Sequence, residues 1–233
     1  MGDVQVLETP VLAGREAARQ LGMPESTLLQ WLEGGTRAGR RYEPVLREKP
    51  LGHHNMTWGE LVEAQYLRAY RSSVSMQRLR PFLREMRQEF GVPYPLAHFR
   101  PYLDRNLSLI VDLQERANVP DPLLLVVQGP RRGHYLLNQV VQTQFLQRVD
   151  FSSGDDATAL RFYPDGKSSP VVMDPELSSG VATVRGIRAE VLADLVNAGE
   201  HLDDVALEFD LTAADVRAAC AHQGHLSLLA AVS

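Results

Sequence analysis

Three small polar side chains lie at the start of a predicted helix, where they could contact the edges of nucleic acid bases. They are Ser26, Thr27 and Gln30, which follow Pro24. A helix that enters the major groove of DNA needs side chains of this kind in its first turns, because its N-terminal residues reach the base edges. The three residues are therefore our candidates for base contacts.

Arginines that follow the same helix could contact phosphates. A pair of glycines ends the helix, and residues 37–49 then alternate basic and apolar side chains, which predicts a short hairpin or wing. Arg37, Arg40 and Arg41 lie in this segment. Because phosphate contacts supply most of the affinity of DNA-binding proteins, these three arginines are our candidates for contacts to the DNA backbone.

Two predicted helices joined by a tight turn would position these side chains. The first covers residues 15–21 and ends at Gly22, which can adopt the left-handed conformation of a helix C-terminus. The second runs from Pro24 to the glycine pair and carries an apolar stripe of Leu28, Trp31 and Leu32. This arrangement is typical of a helix-turn-helix. A helical core that binds another protein is the alternative.

Two further helices are predicted after the wing. Thr57 and Glu60 have the spacing of a capping box, which begins a helix that continues to about Arg71. A second stripe with a three-four spacing predicts one buried helix face, formed by Met76, Leu79, Leu83, Met86 and Phe90. Pro81 lacks an N–H group, so we expect the regular helix to begin near Arg80 or to kink there.

The stretch formed by residues 15–22, 26–28 and 31–32 resembles the winged helix-turn-helix of the MerR-type regulators. The likeness extends over about residues 10–91 and implies a DNA-binding N-terminal domain. Sensory members of that family hold metals with clustered cysteines. Cys220 is the only thiol of this chain and lies elsewhere, so we do not expect metal sensing by cysteines.

The middle of the chain predicts a mixed segment. Short apolar runs bounded by turn residues are typical of strands, and such runs cover residues 107–113, 123–127 and 159–163. Between them, residues 138–148 have the spacing of an amphipathic helix. We therefore expect strands together with one helix in this part of the chain.

The end of the chain predicts three short helices with tight turns. The first follows Arg188 and ends near Gly199, the second covers residues 202–209, and the third begins with a capping box at Thr212 and Asp215. Such packing is typical of a helix-turn-helix-like domain. The whole pattern predicts an α+β fold that is mostly α.

Three segments result, and they differ in charge. Residues 1–105, the predicted winged helix-turn-helix, carry 15 basic and 12 acidic side chains. The connecting segment covers residues 106–167, and its part up to residue 150 carries equal numbers of basic and acidic side chains. The predicted C-terminal domain covers residues 168–233 with its tail, and residues 151–233 carry 5 basic and 13 acidic side chains. An asymmetry of this kind favours nucleic acid contact at the basic end and a basic protein partner at the acidic end.

Several motifs of the acidic segment resemble one family of small domains. They are residues 171–176, Gly180, residues 184–188, Leu195, Gly199 and residues 211–219. The family was formerly an uncharacterised domain and is classed as a predicted antitoxin component found beside PIN-type ribonuclease toxins. The resemblance covers about residues 168–222.

A MerR-like N-terminus joined to this domain is similar to the longer VapB-type antitoxins of actinobacterial toxin–antitoxin operons. The resemblance implies an antitoxin whose basic half binds operator DNA as a homodimer and whose remaining part neutralises a cognate ribonuclease toxin. A ribonuclease attracts an RNA backbone, so an acidic surface could oppose its basic entrance. Our candidates for toxin contact are Arg185, Arg188, Asp203, Asp204, Leu228 and Leu229.

Two other function classes remain as alternatives. The first is a stand-alone dimeric MerR-like transcriptional regulator whose C-terminal half binds a protein or a ligand. The second is an enzyme, for which the residues offer little. The pair His53-His54 has no cysteine or acidic cluster to complete a metal site, and residues 128–133 lack the lysine and hydroxyl spacing of a phosphate loop. We therefore expect no catalytic residue, no bound metal and no cofactor.

The composition also predicts the compartment. No apolar run approaches the ~18 residues of a membrane span, and the first residues lack the basic start and apolar stretch of a signal peptide. A single cysteine excludes an internal disulfide framework. We expect a cytoplasmic protein with no membrane contact.

Overall fold

The computed structural model describes residues 3–37, 39–68, 79–98, 107–119, 126–128, 135–137, 145–154 and 156–231. The helices are α1 (Asp3–Leu7), α2 (Gly14–Gln20), α3 (Glu25–Glu33), α4 (Trp58–Arg68), α5 (Leu79–Phe90), α6 (Leu107–Arg116), α7 (Ala189–Asn197), α8 (Leu202–Glu208) and α9 (Ala213–Ala231). The strands are β1 (Pro10–Leu12), β2 (Gly35–Arg37), β3 (Arg40–Tyr42), β4 (Met56–Thr57), β5 (Val126–Gln128), β6 (Tyr135–Leu137), β7 (Val149–Phe151), β8 (Ala159–Phe162), β9 (Val171–Asp174), β10 (Leu177–Val184) and β11 (Ile187–Arg188). The predicted α+β fold, mostly helical, is confirmed.

The first helices form where the sequence predicts them. Helices α2 and α3 are joined by a turn in which Gly22 has a φ of +55°, and the apolar stripe of α3 is buried. Helix α3 ends at Gly34, whose φ is +69°. A Cβ atom at Gly34 would lie 2.3 Å from the backbone oxygen of Tyr42, so only glycine fits there. Strands β2 and β3 then form the predicted antiparallel hairpin.

Helix α4 lies at the centre of the molecule. Its capping box is present, because the Thr57 N–H donates to Glu60 and the Glu60 N–H donates to the Thr57 hydroxyl. Every residue from Trp58 to Leu67 is buried, including three polar ones. The described part of helix α5 runs from Leu79 and includes Pro81, while Met76 and Arg71 lie outside the described residues.

One expectation for the middle of the chain is wrong. Residues 107–113 belong to helix α6 and not to a strand. Leu107, Ile110 and Leu113 are buried at a helical spacing, whereas Asp112 faces solvent. The apolar run is so short that its spacing fits a strand as well as a helix. The packing of α6 against α5 favours the helix.

The other predictions for this segment have mixed outcomes. Residues 159–163 contain strand β8, as predicted. The predicted strand 123–127 and the predicted helix 138–148 lie partly outside the described residues. The described end of the first belongs to β5, and that of the second is a 3-10 turn at Leu146–Arg148 that leads into β7.

An antiparallel sheet of five strands in the order β11-β10-β9-β8-β7 occupies the C-terminal half. The sheet extends along the chain from Val149 to Arg188. The boundary between the connecting segment 106–167 and the C-terminal domain 168–233 therefore lies within the sheet. The three predicted helices α7, α8 and α9 follow, and α9 packs on both α7 and α8. The capping box of Thr212 and Asp215 begins α9.

The basic half of the chain (residues 1–105) and the acidic half (residues 151–233) share one apolar core, which extends from Leu7 to Ala219. The indole N–H of Trp58 donates to the Ala159 oxygen at 2.7 Å, and the side-chain oxygen of Gln20 accepts from the Ala182 N–H at 3.3 Å. These contacts join α4 and α2 to the sheet. The helix pair α2–α3 is therefore held in a fixed position relative to the acidic half.

Candidate nucleic-acid interface

The N-terminal turns of α3 expose the residues that we predict to contact bases. Ser26 is exposed, and Thr27 and Gln30 are half-buried, whereas Leu28 on the opposite face is fully buried. Pro24 precedes the helix without a side-chain cap. The helix thus turns its apolar stripe to the core and its polar residues outward, which is the arrangement a groove-binding helix requires.

The hairpin β2–β3 follows α3 directly and is fixed to it. The backbone N–H groups of Val45 and Leu46 donate to the Trp31 oxygen at 2.9 and 3.1 Å, which ties the end of the hairpin to the last turn of α3. Arg37 pairs with Arg40 at the tip of the ladder. Arg37, Arg40 and Arg41 therefore all belong to the hairpin that lies next to α3.

The side chain of Arg41 is 78% exposed, with one loose ion pair to Glu43 at 3.8 Å. Surface ion pairs of this kind contribute little and are easily exchanged. Arg41 can thus turn to a phosphate at small cost. The side chains of Arg37 and Arg40 lie outside the described residues.

A buried arginine that was not predicted from the sequence connects the elements around the hairpin. Arg47 is 6% exposed and forms ion pairs with Glu60 at 2.6 Å and with Glu33 at the end of α3. Its guanidinium also donates to the backbone oxygens of His53 and Asn55, each at 2.7 Å. One side chain therefore fixes α3, α4 and the loop between hairpin and α4.

A second buried pair lies next to it. Arg87 of α5 donates to the Glu63 carboxylate of α4 at 3.0 Å and to the oxygens of Val45 and Leu46 at 3.1 and 3.3 Å. Burial raises the pKa of Glu63 to about 7, although Arg87 opposes that rise. The signal in the sequence was a charged residue inside each apolar stripe, with no indication of which residues would pair.

Two of the predicted toxin contacts have partners in their own chain. Arg185 lies in the turn between β10 and β11 with a φ of +50°, and its guanidinium is 3.4 Å from the Asp215 carboxylate. Together with the Thr212 N–H, Arg185 helps to lower the pKa of Asp215. Arg188 is 3.5 Å from Glu16 of α2.

The remaining candidates lie on α8 and α9. Asp203 and Asp204 are exposed in the first turn of α8, beside Leu207, which is 83% exposed. Leu228 and Leu229 belong to α9, and their side chains lie outside the described residues.

The described residues contain no cluster of three or more His, Cys, Asp or Glu side chains that could hold a metal ion. Cys220 is half-buried against the core, and burial raises the pKa of its thiol. Within the same part of the chain, no helix is both long and apolar enough to cross a bilayer.

Most of the chain is similar to proteins of Mycobacterium tuberculosis (strain ATCC 25618 / H37Rv). "Uncharacterized protein Rv2308" is 28% identical over 216 residues, which cover 91% of this chain and 89% of that protein. "Putative antitoxin VapB45" is 30% identical over 226 residues, which cover 90% of this chain and 92% of that protein. The chain belongs to the VapB45 family.

A solved structure has a similar fold. The crystal structure of Rv2018 from Mycobacterium tuberculosis matches with a TM-score of 0.67 and 28% identity, and the match covers 90% of this chain and 97% of that one. The fold of this chain is therefore similar to that of Rv2018 over most of its length.

Residues 171–222 also match the family described as "Protein of unknown function (DUF433)". This segment begins at β9 and ends inside α9. It contains the candidates Arg185, Arg188, Asp203 and Asp204, whereas Leu228 and Leu229 lie beyond it. In this member of the VapB45 family, β7 and β8 complete the sheet from outside the matched segment.

Proposed function

We propose that this protein is a non-catalytic antitoxin that binds a cognate ribonuclease toxin of the PIN type and binds operator DNA as a homodimer. The observation that carries the proposal is the 30% identity to VapB45 over 90% of this chain. A likeness of that extent includes residues of both the N-terminal part and the segment that matches DUF433.

The geometry of α3 and the hairpin supports DNA binding. The two helices and the hairpin are assigned to a winged helix-turn-helix of MerR type, with α3 in the major groove and the hairpin arginines on the flanking phosphates. In this assignment Ser26, Thr27 and Gln30 read bases. Two copies of the chain would place two such helices on successive half-sites.

Replacing Arg37, Arg40 and Arg41 together with Ala tests the hairpin. We expect weaker binding to all duplex DNA, and we expect the negative slope of log K against log salt to become shallower by about 2 to 3, since each phosphate contact contributes about 0.9 to its magnitude. Fluorescence anisotropy across a salt series measures both. Arg217→Ala, which removes an exposed charge from α9, is the matched control. Unchanged binding by the triple variant would remove the hairpin from the interface.

The acidic half supports a basic protein partner. Exposed carboxylates follow one another along α7, α8 and the turn after each: Asp194, Glu200, Asp203, Asp204, Glu208 and Asp210. Among the described residues, none of these carboxylates has an ion pair, whereas Glu190 and Asp215 do. A ribonuclease with a basic RNA entrance would complement this surface.

Co-expression with the product of the adjacent gene tests the antitoxin role. We expect the two proteins to copurify as a complex of defined mass and the ribonuclease to lose its activity. The double change Asp203→Lys and Asp204→Lys should weaken capture, because it places like charges against the basic partner. Asp112→Lys on α6 is the matched control, since it reverses an exposed carboxylate outside the matched segment.

Two outcomes would contradict this function. If the neighbouring gene encodes no ribonuclease, or if its product does not bind, the antitoxin role is wrong. DNA binding that persists in that case would identify a stand-alone dimeric regulator instead.

A further inference from the structure

A cleft of about 230 Å³ lies between the end of the hairpin and helix α5. Pro44 and Glu48 line one side, and Arg80, Arg84 and Gln88 line the other. The last three residues are spaced four apart, so they form one row along α5. The volume is several times the ~30 Å³ that one water occupies in the liquid, so a phosphate group fits.

The floor of this α5 cleft is already neutralised. Arg47 and Arg87 also border it, but their charges are matched by Glu60 and Glu63 at 2.6 and 3.0 Å. The positive charge available to a ligand therefore comes from the row on α5. Within the described part of the chain, neither Arg80 nor Arg84 forms an ion pair.

Arg80 has an unmet hydrogen bond. Its Nε is buried and finds no acceptor among the described residues. Burial also lowers the pKa of its guanidinium, with Glu43 opposing that effect. An anion bound to the guanidinium in the α5 cleft would offset the cost of burying this charge.

The same side chain connects the α5 cleft to the hairpin. The guanidinium carbon of Arg80 lies 5.9 Å from the centre of the Tyr42 ring, and Tyr42 is the neighbour of the exposed Arg41. The basic row of α5 therefore begins beside the hairpin, where the Glu43 carboxylate lies near both Arg41 and Arg80. A phosphodiester chain follows a row of this kind, because its charges repeat along a line.

We propose that the α5 cleft is a second contact site for the DNA backbone, in which Arg80 and Arg84 bind one phosphate beside the hairpin. The proposal rests on the proposed DNA binding and adds a site to it. Because a phosphate contact is independent of base sequence, the α5 cleft raises affinity equally for operator and random DNA.

Two single variants test the α5 cleft in opposite directions. Arg84→Ala removes an exposed charge, and we expect weaker binding and a negative slope of log K against log salt that is shallower by about 0.9. Gln88→Lys adds a charge to the same row, and we expect tighter binding and a slope steeper by a similar amount. The probes are a duplex from upstream of the gene and a random duplex of equal length. Arg217→Ala is the control for charge alone, and equal melting temperatures establish that each variant is folded.

The outcomes separate this site from the proposed function. If the wild-type protein binds DNA while Arg84→Ala and Gln88→Lys leave the slope unchanged, the cleft proposal is wrong and DNA binding stands. An effect on the upstream duplex alone would also overturn it, because that result indicates base reading. Wild-type protein that binds neither duplex would overturn both.

Discussion

Replacing Arg87 with Met is expected to lower the free energy of unfolding by about 3 to 5 kcal/mol at pH 8, because it leaves a buried carboxylate without its counter-ion. Glu63 is fully buried, and Arg87 is 7% exposed. The loss also removes donors from the oxygens of Val45 and Leu46, which hold the end of the hairpin. Urea unfolding followed by circular dichroism measures the change.

The pH dependence distinguishes an ion pair from simple packing. The pKa of Glu63 in the folded chain, about 7, is above that of an ordinary glutamate. The folded chain therefore binds more protons than the unfolded chain between these two values, so stability decreases as pH rises through that window. Without Arg87 the pKa of Glu63 rises further, and the variant should lose more stability at pH 8 than at pH 5.5.

A double variant provides the control for this prediction. Glu63→Gln combined with Arg87→Met removes both charges, so it should be more stable at pH 8 than Arg87→Met alone and should lose most of the additional pH dependence. Equal losses for Arg87→Met at both pH values would contradict the role of the buried charge.

Local signals in the sequence predicted the elements that present the candidate interface. The stripe of α3, the glycine pair after it and the Thr57 capping box are each complete within a few residues. Such signals reflect the backbone requirements of a turn or cap, which tertiary contacts rarely change. For this reason α2, α3 and the hairpin could be placed from the sequence.

Features that depend on distant residues could not be predicted in the same way. Whether residues 107–113 form a strand or a helix depends on the surface of α5 on which they pack. Arg47 and Arg87 look like ordinary surface charges until α4 is seen to be buried on all sides. The contact of Gln20 with Ala182 joins residues 162 positions apart, and no local pattern contains that information.

The side chain of Trp58 also joins the N-terminal helices to the sheet, and its removal is the second change that we expect to lower the stability strongly. Trp58→Ala should lower the free energy of unfolding by about 3 to 5 kcal/mol, the usual cost of truncating a buried aromatic side chain. Trp58 is fully buried, and its indole contacts the sheet through Ala159. A Cβ atom on Gly180 of β10 would lie 3.6 Å from the ring, so the ring also fills the space under that strand.

The chain contains two tryptophans, so Trp58→Ala leaves Trp31 of α3 as a single fluorescent reporter of the helix pair. In the wild-type protein one continuous core should give coincident urea transitions by fluorescence and by circular dichroism. With the contact between α4 and β8 weakened, we expect the Trp31 transition to separate from the transition of the whole chain. Trp58→Phe keeps most of the apolar contact and loses only the hydrogen bond to Ala159, so its two transitions should stay coincident at a cost of about 1 to 3 kcal/mol. Coincident transitions in Trp58→Ala would show that other contacts, such as that of Gln20, suffice to couple the basic half to the acidic half.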